Sequence, residues 1–373
     1  MNVSLFFTYD VSLNDWFESK IFDREISYYK EISNKYSVNF TFITYGGEED
    51  LKFQTKLENI KVIPIYTLQK RSKSKLLRFL SSFIAPFKLK KLMKDEDIFK
   101  TNQLMGAWVP ILLKILLRKK LIARTGYDIL EFSIKEKRGV LKIIFYFLLT
   151  QMTLYFSNKY TVSSENNIRF LKKKFFVINK KKIVKLNNWI EETTLNTEYE
   201  RSKNKILSVG RLEPQKNYLN LINNLKSSKL DLHIVGEGTL KEKIIEESKN
   251  QNVNIKLVQK MKFEDLINLY KKYKYFLMFS KFEGHPKSLI EAMSNGCIPI
   301  VLEADYVPEI IKHNQNGIIL KSKDDEISKV IDYLNENEEL ANNLSQNAKS
   351  FVTNNYSKSK IMKEEVDLYN LVS

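Results

Sequence analysis

Apolar runs alternate with amphipathic stretches along the second half of the chain. The apolar-rich runs are residues 204–210, 230–236, 253–259, 273–280 and 297–303, and the first two end in glycine. Near-continuous apolar runs are typical of parallel strands buried on both faces. The stretches between them have helical spacing, which predicts right-handed crossover helices. The pattern therefore predicts a doubly wound, Rossmann-like α/β domain.

The first half has a similar but less regular pattern. A helix is predicted over residues 22–36. The predicted strands or strand ends are residues 2–10, 37–46, 59–66, 120–128 and 158–165. Residues 187–204 are polar and irregular, as expected of a linker. We therefore predict one domain over 1–186, a second over 187–357, and a last helix over 358–373.

Two further stretches have distinct compositions. Residues 69–94 hold nine basic residues and no acidic one. Contact with an anionic membrane surface is favoured there over a solvated helix face. Residues 139–156 are densely apolar and aromatic, and we predict a buried core helix.

Charge is unevenly distributed along the 373 residues. Residues 1–186 contain 35 Lys and Arg against 17 Asp and Glu, whereas the rest contains 26 against 27. This asymmetry indicates that the first half meets an anionic partner, either nucleic acid, a membrane surface or a phosphorylated substrate. One cysteine and three scattered histidines argue against a metal site. The first ten residues lack the basic region of a signal peptide, so a cytoplasmic or peripheral protein is expected.

Residues 280–301 contain the strongest candidate for chemistry. A strand should end just before Glu283, at the carboxyl edge where open α/β folds bind ligands. Gly284 permits a tight turn, and a helix beginning near Lys287 would point its positive dipole end at an anion. Glu283 and Glu291 are acceptors suited to sugar hydroxyls. An anion flanked by hydroxyl groups predicts a nucleotide-sugar.

Two cations follow another strand at the same expected edge. Arg211 and Lys216 could clamp a diphosphate, the alternative being exposed cations near a helix start. Gly236 and Gly238 form a lone G-x-G turn, which lacks the third glycine of the dinucleotide fingerprint.

Together, residues 205–320 resemble the retaining glycosyltransferases of family 4, which have the GT-B fold. Their features here are the stretches 209–217 and 232–244, the pair Glu283 and Glu291 with the glycine and proline that follow, and residues 316–320. The resemblance implies two Rossmann-like domains facing a central cleft. It places the donor in 187–357 and the acceptor in 1–186, and the last helix is expected to cross back to the first domain.

The resemblance also implies residue roles. Arg211 and Lys216 match the phosphate-binding pair, Glu283 the contact to the donor sugar, and Glu291 the contact to ribose; Glu283, Arg211 and Lys216 are the catalytic candidates. The full donor-binding set comprises Gly210, Arg211, Lys216, Gly236, Gly238, Glu283, Gly284, His285, Pro286, Lys287, Ser288, Leu289 and Glu291.

The first half departs from the family pattern. The loop after its first strand has no paired glycines, and no histidine precedes His233. The acceptor-side candidates are Asn102, Arg124 and Asp128. For Arg124 and Asp128, a salt bridge or a helix cap is the alternative.

The expected function is transfer of a hexosyl or N-acetylhexosaminyl group from a nucleotide-diphosphate-sugar, with UDP favoured. The acceptor would be lipid-linked or a polysaccharide or oligosaccharide in cell-surface glycan assembly, at the inner face of the cell membrane. No metal, cofactor or nucleic acid is expected. The rivals are a GT-A transferase using residues 95–97, a GT-B-type nucleotide-sugar epimerase, and a basic nucleic-acid-binding module.

Overall fold

The computed structural model describes residues 1–126, 128–176, 180–192, 201–226, 228–321 and 327–373. It divides into two units, residues 1–187 with 361–373, and residues 188–360. The linker predicted over 187–204 and the strand end predicted over 120–128 each include positions outside the described residues.

The first unit is built on a parallel sheet in the spatial order β3-β2-β1-β4-β5-β6-β7. Its strands are β1 Asn2–Phe6, β2 Asn39–Thr44, β3 Lys61–Pro64, β4 Ile98–Thr101, β5 Lys120–Thr125, β6 Lys159–Val162 and β7 Ile183–Lys185. Its helices are α1 Leu13–Glu18, α2 Phe22–Tyr36, α3 Glu48–Leu51, α4 Gln54–Leu57, α5 Ile65–Leu68, α6 Lys75–Ser81, α7 Ala85–Leu89, α8 Trp108–Leu117, α9 Ile129–Lys135, α10 Val140–Phe156 and α11 Glu165–Lys174.

The second unit repeats the layout with a parallel sheet in the order β10-β9-β8-β11-β12-β13. Its strands are β8 Ser202–Val209, β9 Asp231–Val235, β10 Ile255–Val258, β11 Tyr273–Met278, β12 Ile298–Leu302 and β13 Ile318–Leu320. The helices that follow in the chain are α12 Tyr218–Asn223, α13 Lys241–Asn250, α14 Phe263–Tyr270, α15 Lys287–Ser294, α16 Ile327–Glu336, α17 Glu338–Tyr356 and α18 Lys358–Asn370. Short 3₁₀ turns occur at Lys180–Lys182, Pro214–Lys216 and Val307–Glu309.

The predicted doubly wound architecture is confirmed in both units. The helix predicted over 22–36 is α2, which buries Ile26, Tyr29 and Ile32 at helical spacing. The five strands predicted in the second half are β8 to β12. The pattern missed β4, β7 and β13, which have only three or four residues each and give no period to read.

The prediction for residues 139–156 is wrong in one respect. They do form a helix, α10, but it is not a buried core helix, because Val140, Leu141, Ile144 and Leu148 are exposed. Only one side packs inward, through residues such as Leu149 and the partly buried Phe145. Among the described residues, no helix is long and apolar enough to cross a bilayer.

A buried ion pair lies between the sheet of the first unit and α18. Lys100 of β4 contacts the carboxylate of Glu365, and each side chain is 1% exposed. Tyr28 of α2 donates to Glu365 Oε2 at 2.8 Å, and Lys100 Nζ lies 3.2 Å from the Tyr369 hydroxyl. The pair thus sits among tyrosine hydroxyls that satisfy its remaining hydrogen-bonding capacity.

Candidate active site

The strand order of the second unit determines where its ligand site should lie. The order reverses between β8 and β11, which are adjacent while their connections leave in opposite directions. Open α/β sheets bind ligands outside the carboxyl ends of the strands at such a switch point. The loop after β8 carries Gly210 to Lys216, and the loop after β11 carries Glu283 and Gly284. The predicted donor residues therefore occupy the expected position in the fold.

Close packing holds the loops after β8 and β9 together. A Cβ on Gly236 would lie 1.9 Å from the carbonyl oxygen of Gly210, which is far below any tolerable contact. Gly210 N donates to Val235 O at 3.0 Å, and Leu212 N donates to Glu237 O at 2.8 Å. Gly236 is therefore required for the backbone approach that shapes this edge.

The loops after β8 and β11 meet through an ion pair. Lys216 Nζ lies 2.7 Å from Glu283 Oε1, and the two side chains are 13% and 11% exposed. Arg211 is exposed, and its Nη2 donates to Gln215 Oε1 at 3.2 Å. The structure therefore brings Lys216 and Glu283 together and keeps the Arg211 guanidinium on the same loop as Lys216.

Gln215 joins the two loops and was missed by the sequence reading. Its Nε2 donates to Phe282 O at 2.8 Å, and its backbone carbonyl oxygen accepts from Lys281 N at 2.9 Å. The side chain is 4% exposed. The sequence shows only an amide beside Lys216 in a predicted loop. The burial of Gln215 and its partner on the other loop appear only in the structure, where a buried polar group needs such a partner.

The predicted helix after the second loop is confirmed as α15, which begins at Lys287 with Pro286 as its N-cap residue. Gly284, Pro286 and Leu289 are buried, whereas Lys287 and Ser288 are partly exposed. The amino end of α15 thus presents its dipole and its first amides beside the ion pair.

His285 and Glu291 both point into the second unit. His285 Nδ1 accepts from Asn188 N at 3.2 Å, and its ring packs 4.5 Å from the ring of Tyr356. Glu291 is 4% exposed, and the hydroxyl of Tyr270 lies 3.5 Å from its Oε2. Glu291 is therefore a buried carboxylate on the helix that follows Glu283.

The acceptor-side candidates of the first unit occupy different environments. Asn102 follows β4 at the carboxyl edge, where its N–H donates to Phe6 O at 2.8 Å. Arg124 lies on β5; burial opposes its charge, but nearby Tyr29 and Glu365 outweigh this and raise its pKa above the usual range. The alternative suggested for Arg124 was a salt bridge or a cap, and Glu365 and Glu25 are the carboxylates that favour its charge.

Asp128 is a helix cap, which was the alternative suggested for it. Its Oδ1 accepts from Glu131 N at 2.9 Å at the start of α9. The side chain is almost fully buried, and this burial raises its pKa to about 6. Its Oδ2 has no hydrogen-bond partner among the described residues.

The acidic run of residues 95–97 lies at the wrong end of the sheet for the rival GT-A reading. It precedes β4, at the amino edge, where Asp97 Oδ2 accepts from Asn2 N at 2.8 Å and Glu96 Oε1 from Thr41 Oγ1 at 2.9 Å. Within the described part of the chain, no group of three or more His, Cys, Asp or Glu residues is placed to hold a metal ion.

Residues 191–351 match the family model "Glycosyl transferases group 1". The poly(ribitol-phosphate) alpha-N-acetylglucosaminyltransferase of Staphylococcus aureus is 26% identical over 148 residues, which are 39% of this chain and 30% of that protein. The amylovoran biosynthesis glycosyltransferase AmsD of Erwinia amylovora is 26% identical over 200 residues, 52% of this chain and 56% of that protein. Each match thus spans less than two thirds of the relative's length.

Solved structures resemble the whole chain. Anabaena Alr3699/HepE in complex with UDP superposes with a TM-score of 0.74 at 11% identity, covering 99% of this chain and 100% of that one. TarM of S. aureus gives a TM-score of 0.73 at 14% identity and covers 99% of both chains. At these identities the likeness concerns the fold. The chain therefore has the GT-B fold, and its residues 191–351 are similar to the group 1 glycosyl transferases.

Proposed function

We propose that the protein transfers a sugar from a nucleotide-diphosphate-sugar, with UDP as the favoured nucleotide, and retains the anomeric configuration. The observation that carries this proposal is the pairing of Lys216 with Glu283 at 2.7 Å beside the amino end of α15. Cations and a helix dipole suit a diphosphate, and a carboxylate suits sugar hydroxyls. Support comes from HepE, which has been solved with UDP and with UDP-glucose.

In this proposal the leaving diphosphate is stabilised by fixed positive charge. Arg211, Lys216 and the backbone N–H groups from Gly284 to Ser288, apart from Pro286, which has none, supply that charge at the start of α15. Electrostatic preorganisation is the main source of rate enhancement. The acceptor attacks from the face that the diphosphate leaves, so no protein nucleophile is needed. Glu283 contacts the donor sugar and Glu291 the ribose. The mechanism requires no metal ion because protein groups provide the positive charge.

The proposed acceptor is a lipid-linked glycan or a polysaccharide, used in cell-surface glycan assembly at the inner face of the membrane. Support comes from two relatives, AmsD, named for amylovoran biosynthesis, and the S. aureus poly(ribitol-phosphate) enzyme. A TarM variant has been solved with UDP and alpha-GlcNAc-glycerol. The net positive charge of residues 1–186 suits an anionic acceptor carrier.

Calorimetry and turnover assays with UDP-, GDP- and other nucleotide-sugars test the proposal. Arg211→Ala and Lys216→Ala should each lower turnover about 10²-fold, as expected when a preorganised charge is lost. The fall in turnover of the double variant should be smaller than the product of the two single falls, because both cations act on one diphosphate. Lys256→Ala, which removes an exposed cation on β10, is the matched control. Full activity in the double variant, or salt-sensitive oligonucleotide binding without nucleotide binding, would reject the proposal.

A further inference from the structure

Exposed apolar side chains are concentrated on two segments of the first unit. Leu141 at the start of α10 is 84% exposed, and Phe176 after α11 is 80% exposed. The others on α10 and from α6 to residue 87 are Leu76, Leu77, Leu80, Phe83, Ile84, Phe87, Val140, Ile144, Phe147, Leu148 and Tyr155. Contiguous apolar surface of this kind marks an interaction site, whereas isolated exposed leucines do not.

The two segments belong to one surface. The ring of Phe79 in α6 lies 6.0 Å from that of Phe145 in α10, and Phe79 also packs 5.3 Å from Trp108 of α8. Phe147 stacks on Phe175 at 4.7 Å, which places Phe176 next to α10. We call the exposed apolar residues of 76–87, of 140–148 and Phe176 the apolar surface.

Positive charge surrounds the apolar surface. Residues 69–94 have nine cations and no carboxylate, and residues 137–164 also lack any Asp or Glu. Lys142 and Lys137 are exposed beside Leu141, and Lys88, Lys90 and Lys91 follow Phe87. Two copies of such a surface would repel each other, which disfavours a homodimer. Apolar side chains flanked along the chain by exposed lysines instead complement the headgroup region of an anionic bilayer.

We propose that the apolar surface inserts shallowly into an anionic lipid bilayer, with the amino-terminal half of α10 reaching the acyl-chain boundary. The inserted helices lie along the membrane and do not span it. The inference concerns the acceptor side of the proposed function, since a lipid-linked acceptor lies in the same bilayer. Insertion differs from purely electrostatic adsorption by residues 69–94, because salt does not screen the free energy gained when the exposed leucines are buried.

A single-cysteine label tests the insertion directly. The only native cysteine, Cys297, is fully buried, and burial raises its pKa to about 12, so it should not react. Leu141→Cys, labelled with an environment-sensitive fluorophore in the full chain, should shift to the blue on vesicles of equal phosphatidylglycerol and phosphatidylcholine. Brominated acyl chains should quench it. Leu371→Cys is the matched control, because Leu371 is 74% exposed on the same unit and follows α18, whose Tyr369 packs near Phe40 and Lys100. Its label should show neither effect.

Sedimentation with the same vesicles tests the energetics. The fraction of wild-type protein bound to the vesicles should fall as the salt concentration rises, but a measurable part should remain bound at high salt. Leu141→Ser with Leu148→Ser should reduce that remaining part by at least about tenfold, as expected for lost leucine burial. Tyr333→Ser, at an exposed aromatic residue of the second unit, should leave it unchanged. Glutamate at Lys88, Lys90, Lys91 and Lys94 should abolish binding at low salt.

Three results would overturn the inference. They are no binding of the wild type to anionic vesicles at low salt, an unchanged partition of the leucine variant, or self-association that the leucine variant abolishes. The last would make the apolar surface a contact between copies of the chain. UDP binding is measured on each variant by calorimetry, so a failure of membrane insertion is distinguishable from a failure of the proposed donor site.

Discussion

At the residue scale, two features define the position of Glu283. Its Oε1 accepts a hydrogen bond from Lys216 Nζ, and it lies in the loop that leads to Lys287, the first residue of α15. We expect Glu283→Gln to lower kcat about tenfold to hundredfold with a smaller effect on the KM for donor, because the charge beside the sugar is lost while the shape remains. Steady-state kinetics provide the measurement. Glu213→Gln makes the same change on the loop after β8, where Glu213 accepts from Thr239, and should have little effect. Equal kcat values for the two variants would make Glu283 a structural residue.

Asp128 should make stability depend on pH. Burial raises the pKa of this carboxyl group to about 6, so the folded protein binds its proton more tightly than the unfolded chain does. Ionised Asp128 therefore destabilises the fold above pH 6, and this cost disappears as the pH falls through 6 towards 4. Asn keeps the helix cap without the charge. Asp128→Asn should raise the unfolding free energy by about 3 kcal/mol at pH 8, since a tenfold change in proton affinity is about 1.4 kcal/mol.

Urea titrations from pH 4 to 8 measure this difference, which should vanish near pH 4. Asp128→Ala serves as the control, because it removes the cap as well and should be about 1 kcal/mol less stable than the Asn variant at every pH. A difference between Asn and wild type that does not change with pH would contradict the assignment. Loss of turnover in a stable Asn variant would instead support the acceptor-side role predicted for Asp128.

Sequence reasoning could place the proposed donor residues more readily than it could describe their surroundings. Arg211, Lys216 and Glu283 follow strands whose apolar pattern is unambiguous, so their shared edge could be predicted. Gln215 was missed because its importance arises from the carbonyl of Phe282, which lies far away in sequence. The environment of Arg124 depends on Glu365, which lies at the other end of the chain.

At the scale of elements, the ion pair between β4 and α18 should control how firmly that helix is held. Glu365→Gln leaves the Lys100 ammonium buried without its counter-charge, so we expect a loss of about 3–5 kcal/mol in unfolding free energy. Adding Lys100→Met should restore much of it. Denaturant titration with hydrogen exchange at β4 measures both. Glu338→Gln, which breaks an exposed pair with Lys203, is the control and should change little. A mild effect of Glu365→Gln would show that water enters the cluster.

At the scale of elements, the hydrophobic pattern predicts regular strands and helices but not how fully an apolar helix is buried. α2 and β8 to β12 were predictable because one period persists over enough residues to exclude the alternative. α10 is apolar on nearly all sides, so its sequence indicates burial. Its packing against α8, α9 and β5 nevertheless leaves Val140, Leu141, Ile144 and Leu148 exposed. Whether an apolar helix has neighbours all round depends on the number of layers in the fold, which its own residues do not encode.

At the scale of the whole molecule, the division into two units predicts that truncation of the chain and binding of the ligand change the stability of different units. Residues 361–373 belong to the first unit, whereas the proposed donor site lies entirely in the second. Deleting 361–373 should destabilise the first unit and leave UDP binding intact. UDP at 100 times its Kd should still stabilise the second unit by about 2.7 kcal/mol. Differential scanning calorimetry with and without UDP is the measurement, and deleting only 371–373 is the control. Loss of UDP binding on deletion would show that the donor site needs the first unit.

Glu365 is made 265 residues after the lysine it neutralises. A ribosome adds about 5–20 residues each second, so many seconds pass between the synthesis of Lys100 and the synthesis of its counter-ion, Glu365. The second unit emerges completely before the last helix does, and it can fold while the first unit is still unfinished. The nascent first unit therefore exposes the tyrosine-lined position of Glu365 until α18 has been synthesised. Premature termination anywhere before residue 365 would leave a buried lysine uncompensated, so truncated products should be recognised as unstable and degraded.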